Sequence, residues 1–191
     1  FQFDGLDTCA VDGLCATNCP VEINTGDLVK RLRSENHQNF ENNVALFIAK
    51  NFQFTQNLVR FALKSGHKAN ALFGINTMAK ITGGLRKIST SLPLWNESIS
   101  KAPSLNFKSD NNAQIVYFPS CISRMLGTYP DKQKNLIETF YSICKKTNIA
   151  VKTIKNPNDN CCGQIFSSKG YNNAHAYTAN NLIEVLWDET Q

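Results

Sequence analysis

The chain has 191 residues, 42% of them apolar, and a formal net charge of +5. That suffices for one or two ordinary cores without a disulfide framework, and no run approaches the roughly 20 apolar residues needed to cross a bilayer. Lys and Arg are spread along the chain rather than massed, which argues against nucleic acid as a partner and leaves modest attraction for acidic surfaces.

Residues 1 to about 23 wind through Asp, Gly, Cys and Pro with too few apolar side chains for a core of their own. From Asn24 to about Leu92 the pattern is helical. Asn24 or Thr25 is placed to cap a helix with Asp27 in its first turn and Lys30, Arg31 and Arg33 towards its end, each sign matching the helix dipole. A longer helix is expected from the spacing of Val44, Phe47, Ile48, Asn51, Phe52, Thr55, Val59 and Ala62, ending at Gly66. A further helical run from Lys68 to about Lys80 gives way at Gly83 and Gly84 and restarts through Leu85 and Ile88. Ser, Pro, Asn and Lys then mark a linker.

Beyond it, strand and helix alternate. Gln114 to Phe118 and Ala150 to Ile154 read as short strands, with a helix between them from Asp131 to Thr147 that carries Leu136, Ile137, Phe140, Tyr141 and Cys144 on one face. A last amphipathic helix covers Asn172 to Trp187. The fold class expected is a mixture: a helical, ferredoxin-like first part and helical middle over 1–92, a linker over 93–112, and a partial α/β domain with a parallel sheet over 113–191. Phe1 stands where an initiator Met would, and the final helix runs to Gln191 uncapped, so both ends read as cuts in a longer polypeptide.

Six of the seven cysteines fall into two groups, which in a cytosolic chain points to metal or redox chemistry rather than to disulfides. Cys9 to Pro20 read CAVDGLCATNCP, which follows the bacterial iron-sulfur run C-x2-C-x2-C-x3-C-P with Asp12 in the second position. In that run the cysteine before proline turns to a different cluster from the others, so Cys19 and the pair Cys9 and Cys15 each expect further thiolates from another run. A carboxylate holds iron less firmly than a thiolate, so Asp12 as a ligand would give a three-iron cluster or a four-iron one with a labile corner; as a bare turn former before Gly13 it would do neither. The spacing lacks the paired knuckles that zinc favours.

In the second group, Cys121 follows the first expected strand and the Cys161-Cys162-Gly163 run follows the second. Both lie beyond carboxyl ends of strands, the edge where open parallel sheets bind ligands. Cys144, on the apolar helix face, is expected to be buried and structural.

The runs DTCAVDGLCATNCPVEINTGDLVKRLR, VYFPSCISRMLG and NCCGQIFSSKG together resemble the carboxyl-terminal part of FAD-linked respiratory D-lactate dehydrogenases of the iron-sulfur type. The resemblance implies an upstream flavin domain that oxidises a D-2-hydroxy acid, and 4Fe-4S or 3Fe-4S clusters that relay its electrons to a quinone or cytochrome. It assigns Cys9, Cys15 and Cys19 to the second ferredoxin run and Cys121, Cys161 and Cys162 to a cysteine-rich CCG module. An upstream cysteine run and a later cysteine of the module are absent from this chain. Neither site is complete here, no catalytic residue is assigned, and the chain alone is expected to be inactive. The location implied is cytoplasmic, peripheral at the inner membrane face. Alternatives are an iron-sulfur subunit of a glycolate oxidase, an anaerobic glycerol-3-phosphate dehydrogenase or a heterodisulfide reductase, and, from another class, a zinc-stapled or metal-free module that docks an acidic partner.

Of the remaining residues, His37, His67 and His175 are read as surface or capping groups. Lys80, Arg86 and Lys87 flank Ile81, Leu85 and Ile88, either as a solvated helix end or as a contact for a membrane or partner. Arg124 is expected to bring positive charge near Cys121, where it would favour a thiolate, or to form an ordinary salt bridge.

Overall fold

The structure, a computed structural model, describes residues 2–89, 92–110, 112–126 and 134–191, with side chains from Gly5 onward. After a π-helical turn at Gln2–Asp7 the described elements are α1 Leu14–Thr17, α2 Thr25–Asn36, α3 Asn39–Lys50, α4 Phe52–Phe73, α5 Thr77–Arg86, β1 Ile115–Tyr117, α6 Cys121–Met125, α7 Leu136–Lys146, β2 Val151–Thr153, α8 Gln164–Lys169 and α9 Asn172–Thr190. The chain is thus mostly helical with a small parallel sheet. By contact it divides into two compact units: residues 1–52 with 159–189, and residues 53–158. This partition groups the chain otherwise than the divisions drawn on composition at 92 and 113. No helix among the described residues is long and apolar enough to cross a membrane.

In the second unit, β1 and β2 pair in parallel with Ile115 opposite Val151 and Tyr117 opposite Thr153, as the two strand-forming runs lead one to expect. Helix α7 starts where Asn135 and Glu138 cap each other: the Asn135 side chain accepts from the Glu138 amide at 2.9 Å and the Glu138 carboxylate accepts from the Asn135 amide at 3.1 Å. Residues 131–133, expected in this helix, lie outside the described residues. Ile137, Tyr141 and Cys144 bury against Val151, with Leu105, Phe107, Tyr117 and Phe140 around them. Cys144 is therefore the core residue that its place on the helix face indicated.

The helical middle differs from expectation at its glycines. The long helix is interrupted at Asn51, and α4 passes through Gly66 and ends only at Phe73, before Gly74 at φ +105. Gly66 is inside the helix because the Trp95 ring lies against it; a Cβ there would come within 2.5 Å of the indole. Trp95 also meets His67 edge-on and donates its backbone N–H to Thr82 in α5 at 2.9 Å. Gly83 and Gly84 likewise lie within α5 rather than breaking it, since a helical glycine costs only about 1 kcal/mol against alanine. Composition alone does not separate a glycine that stops a helix from one that admits a ring.

The first unit is built on α2. Its buried face is Gly26, Val29 and Arg33, and Leu6, Val11 and Val29 make a small apolar cluster beside Cys9. Arg33 is its unexpected member. The guanidinium donates to the carbonyls of Leu6 and Ser168, and to that of Cys9 at 2.9 Å, so one cation ties the amino-terminal loop and α8 to α2. Gly170 continues the contact, where a Cβ would stand 2.6 Å from the Ser34 nitrogen. His37 completes it, with Nε2 2.7 Å from the Lys169 carbonyl and its ring stacked on Tyr171 at 4.1 Å.

Candidate functional site

Cys9, Cys15, Cys19, Cys161 and Cys162 all belong to the first unit, and Cys121 belongs to the second. All seven cysteines are free thiols. Each of the expected ligands has a distinct environment.

Cys15 is exposed and faces the start of α2. Asn24 caps that helix, accepting from the Gly26 amide at 2.9 Å and donating to Asp27 at 2.9 Å. The Cys15 sulfur lies 3.1 Å from the Thr25 hydroxyl and 3.9 Å from the Asn24 carbonyl oxygen. The Thr25 hydroxyl, followed by the amides of Thr25 and Gly26, holds the Cys15 thiol below its ordinary range, as expected for a thiolate at a helix N-terminus. Gly26 lets the loop come this close: a Cβ would meet the Asn24 oxygen at 2.9 Å and the Val11 backbone at 3.3 Å.

Cys19 is held down differently. The amides of Ile23 and Val21 point at its sulfur and lower its pKa, opposed in part by desolvation and by the nearby Cys15. Glu22, at φ +54, provides the left-handed residue that turns successive amides to one side. The resulting concave row of N–H groups suits an anionic sulfur.

Cys9 is half-buried against the apolar cluster of Leu6, Val11 and Val29, with its carbonyl on Arg33. Asp12 is exposed, and one carboxylate oxygen accepts from the Leu14 amide at 3.1 Å, shaping the turn into α1. Cys161 is buried, and its sulfur accepts from the Gly163 amide at 3.4 Å; Cys162 is exposed. Gly163 is left-handed at φ +79 and lies against Thr178 and His175 of α9. Cys121 opens α6 behind its cap Ser120, whose hydroxyl accepts from the Ser123 amide at 3.3 Å. Arg124 of the same helix is fully buried, its guanidinium 5.6 Å from the Phe118 ring centre.

In chemistry the thiols suit iron, as soft sulfurs, and at Cys15 and Cys19 hydroxyl and amide donors lower the pKa. In number they do not close a site. Among the described residues no three His, Cys, Asp or Glu side chains stand together so as to hold a metal ion. That includes the three histidines: His37 bonds Glu41 and Lys169, His67 meets Trp95, and His175 backs Gly163.

Sequence reasoning missed Thr25 and Arg33. The pattern marks Thr25 as a cap, and its place beside the CP turn, ten residues after Cys15, is the signal for its second role. The helix dipole accounts for a charge at Arg33, and its place four residues after Val29, on the buried register, is the signal for its burial.

The Thr25 contact gives a direct test. Replacing Thr25 with Val removes the largest cause of the lowered Cys15 pKa, so the rise of iodoacetamide reactivity at Cys15 is expected to move to higher pH, followed by mass spectrometry of the labelled peptide. Cys19 serves as the internal comparison, because its amide donors are unchanged and a later-forming Cys15 thiolate would move it only the other way, to lower pH. An unshifted Cys15 profile would show that the hydroxyl does not stabilise the thiolate.

The chain matches no protein-family model, no curated protein and no solved structure.

Proposed function

We propose that this chain is the electron-relay portion of a larger flavin-linked oxidoreductase of the D-2-hydroxy-acid dehydrogenase type. The observation that carries the reading is the pair Cys15 and Cys19, four residues apart in a ferredoxin-like run, whose two sulfurs are both supplied with amide or hydroxyl donors that lower their pKa. Structural cysteines are buried, as Cys144 is, whereas Cys15 is exposed and Cys19 half-buried, each with donors for its charge.

An iron-sulfur cluster, when bound, accepts and releases electrons singly, which is what lets a two-electron flavin donor serve a one-electron acceptor. Cys9, Cys15 and Cys19 would hold one or two such groups jointly with thiolates from elsewhere in the same polypeptide, and Cys161 and Cys162 in the first unit and Cys121 in the second would each be available as further ligands. Arg33 keeps the Cys9 loop in position, and the amides of residues 21–23 offset negative charge at Cys19. The flavin domain of the same polypeptide is the donor in this reading, and a quinone or a cytochrome is the acceptor.

The test uses the full-length protein, reconstituted anaerobically with iron and sulfide. Acid-labile sulfide together with an iron-sulfur EPR signal after reduction is expected, and a Cys15→Ser variant should lose at least part of both. About one equivalent of zinc with no sulfide would overturn the proposal and leave a metal-stapled interaction module in its place.

A further inference from the structure

We propose that the outer side of α7 and the segment Asn106–Asp110 beside it form a binding site for a small anion that carries two or more phosphate groups. The inference stands apart from the iron-sulfur reading, because the site lies wholly within residues 53–158 and uses no cysteine assigned to a cluster.

Two clefts, of about 400 Å³ and about 410 Å³, share Lys108, Tyr141 and Lys145 as walls. Both have the volume of small-molecule sites, roughly 300–1,000 Å³. Tyr141, Cys144 and Val151, all buried, floor the first of them. Lys108 is fixed over this floor by its backbone. Leu105 and Phe107 pack into the core, and the alternation turns Asn106 and Lys108 outward. The Lys108 carbonyl accepts from the Thr153 amide at 2.8 Å, and the Lys108 amide donates to the Tyr141 hydroxyl at 3.3 Å. Its ammonium group stands 5.3 Å from the Tyr141 ring centre.

Three ammonium groups converge here. Lys134 donates to the Ser142 hydroxyl at 3.0 Å, so its charge lies beside the residue that follows Tyr141. Lys145 comes one turn later on the same face, three residues after Ser142 and four after Tyr141, where helix side chains are neighbours at about 5–6 Å. All three lysines are exposed. The two carboxylates at the rim are held by backbone amides: Glu138 accepts from Asn135 at 3.1 Å, and Asp110 accepts from Asn112 at 2.9 Å. Among the described residues neither forms an ion pair with these lysines, whereas Lys30 pairs with Asp27 and Arg31 with Glu35. The carbonyls that end α7 would repel an anion, but the turn takes them up: the Ile149 amide donates to Cys144 at 2.9 Å and the Thr147 amide to Ile143 at 3.0 Å. Lysine ammonium groups bind phosphate as compact point charges. The Tyr141 ring is buried, edge-on to Tyr117, and offers no open face to a base, so recognition rests on the phosphates. A single phosphate would occupy one cleft, and a chain of two or more reaches the cations of both.

The experiment is isothermal titration calorimetry of the full chain with inorganic phosphate, pyrophosphate, tripolyphosphate and ADP at low salt. Pyrophosphate and tripolyphosphate are expected to bind saturably, about tenfold or more tighter than phosphate, and to lose most of that affinity at about 1 M salt, where the screening length falls to about 3 Å. ADP that binds as tightly as pyrophosphate would make a nucleotide the source of the phosphates, and ADP that binds more weakly would make it an inorganic polyphosphate. A Lys108→Ala/Lys145→Ala variant should weaken pyrophosphate binding about tenfold or more. Lys64→Ala/Lys68→Ala, at exposed positions that line neither cleft, should leave it nearly unchanged. Glu138→Gln keeps a capping side chain at its position and removes the facing negative charge, so it should tighten binding about threefold. Unaltered far-UV circular dichroism verifies that each variant is folded. Three results would overturn the proposal: no saturable binding of either polyanion, equal affinity for phosphate and pyrophosphate, or equal losses in the two double-lysine variants, which would reduce the effect to general attraction by a basic chain.

Discussion

Replacing Arg33 with Met is expected to destabilise the protein by roughly 3–5 kcal/mol, because three carbonyl acceptors lose a charged donor at one stroke. The guanidinium is almost wholly enclosed, at 9% exposure, and its partners are the carbonyls of Leu6, Cys9 and Ser168. Leu6 lies at the end of the amino-terminal π-helical turn, where a cation also meets unpaired carbonyl dipoles favourably. Met matches the length and apolarity of the Arg stem, so packing is largely kept and the loss reports the hydrogen bonds. Lys would restore the charge without the planar fork, and Arg33→Lys should fall between the two. The measurement is urea unfolding followed by circular dichroism, where a lower midpoint with an unchanged slope identifies a true stability loss. In native buffer the Cys9 thiol should also alkylate faster in the Met variant, since the loop that shelters it is no longer held. A loss under about 1 kcal/mol would mean that water replaces the guanidinium at these carbonyls.

The reasons that Arg33 escaped the sequence also explain what else did. Patterns within one element were legible: the strand-forming runs became β1 and β2, the Asn24 cap is in place, and the apolar face of α7 buries Ile137, Tyr141 and Cys144. What could not be read was the association of segments far apart in the chain. That residues 159–189 join 1–52 rests on Arg33 reaching Ser168, on Gly170 fitting against Ser34 and on His37 reaching Lys169. The local roles of these residues, Arg33 at a helix end, Gly170 as the left-handed cap of α8 and His37 beside Glu41, do not point to their distant partners. Gly66 shows the same limit, because its partner Trp95 stands in a stretch that composition marks only as a linker. At the candidate site the residue types and spacing of the cysteines were legible, and the turn-forming use of Asp12 had been one of its two readings. Their dressing by Thr25, Val21 and Ile23 depends on backbone direction, which spacing does not give.

A Gly163→Ala variant is expected to lose about 2–5 kcal/mol, for two separable reasons. At φ +79 any residue with a Cβ is strained by about 1–2 kcal/mol. The added Cβ would also stand 2.5 Å from the Thr178 hydroxyl and 2.8 Å from the His175 ring, which adds about 1–3 kcal/mol of overpacking. Neither neighbour withdraws easily. The Thr178 hydroxyl is bound to the carbonyls of Ala174 and His175 inside α9, and the His175 carbonyl itself lies 3.2 Å from the same point. Adding Thr178→Ala to Gly163→Ala should therefore recover part of the steric loss and leave the strain. Gly83→Ala is the control, a helical glycine with nothing within 4 Å of its added Cβ, and it should stabilise the protein by about 0.5–1 kcal/mol. The Gly163 amide is the donor to the Cys161 sulfur. A shift of this turn that opens space for the methyl group must lengthen that bond, so Cys161 should become reactive to alkylation in the folded variant. If Gly163→Ala were as stable as the parent and Cys161 stayed protected, the left-handed turn packed on Thr178 and His175 would not be what fixes the buried thiol.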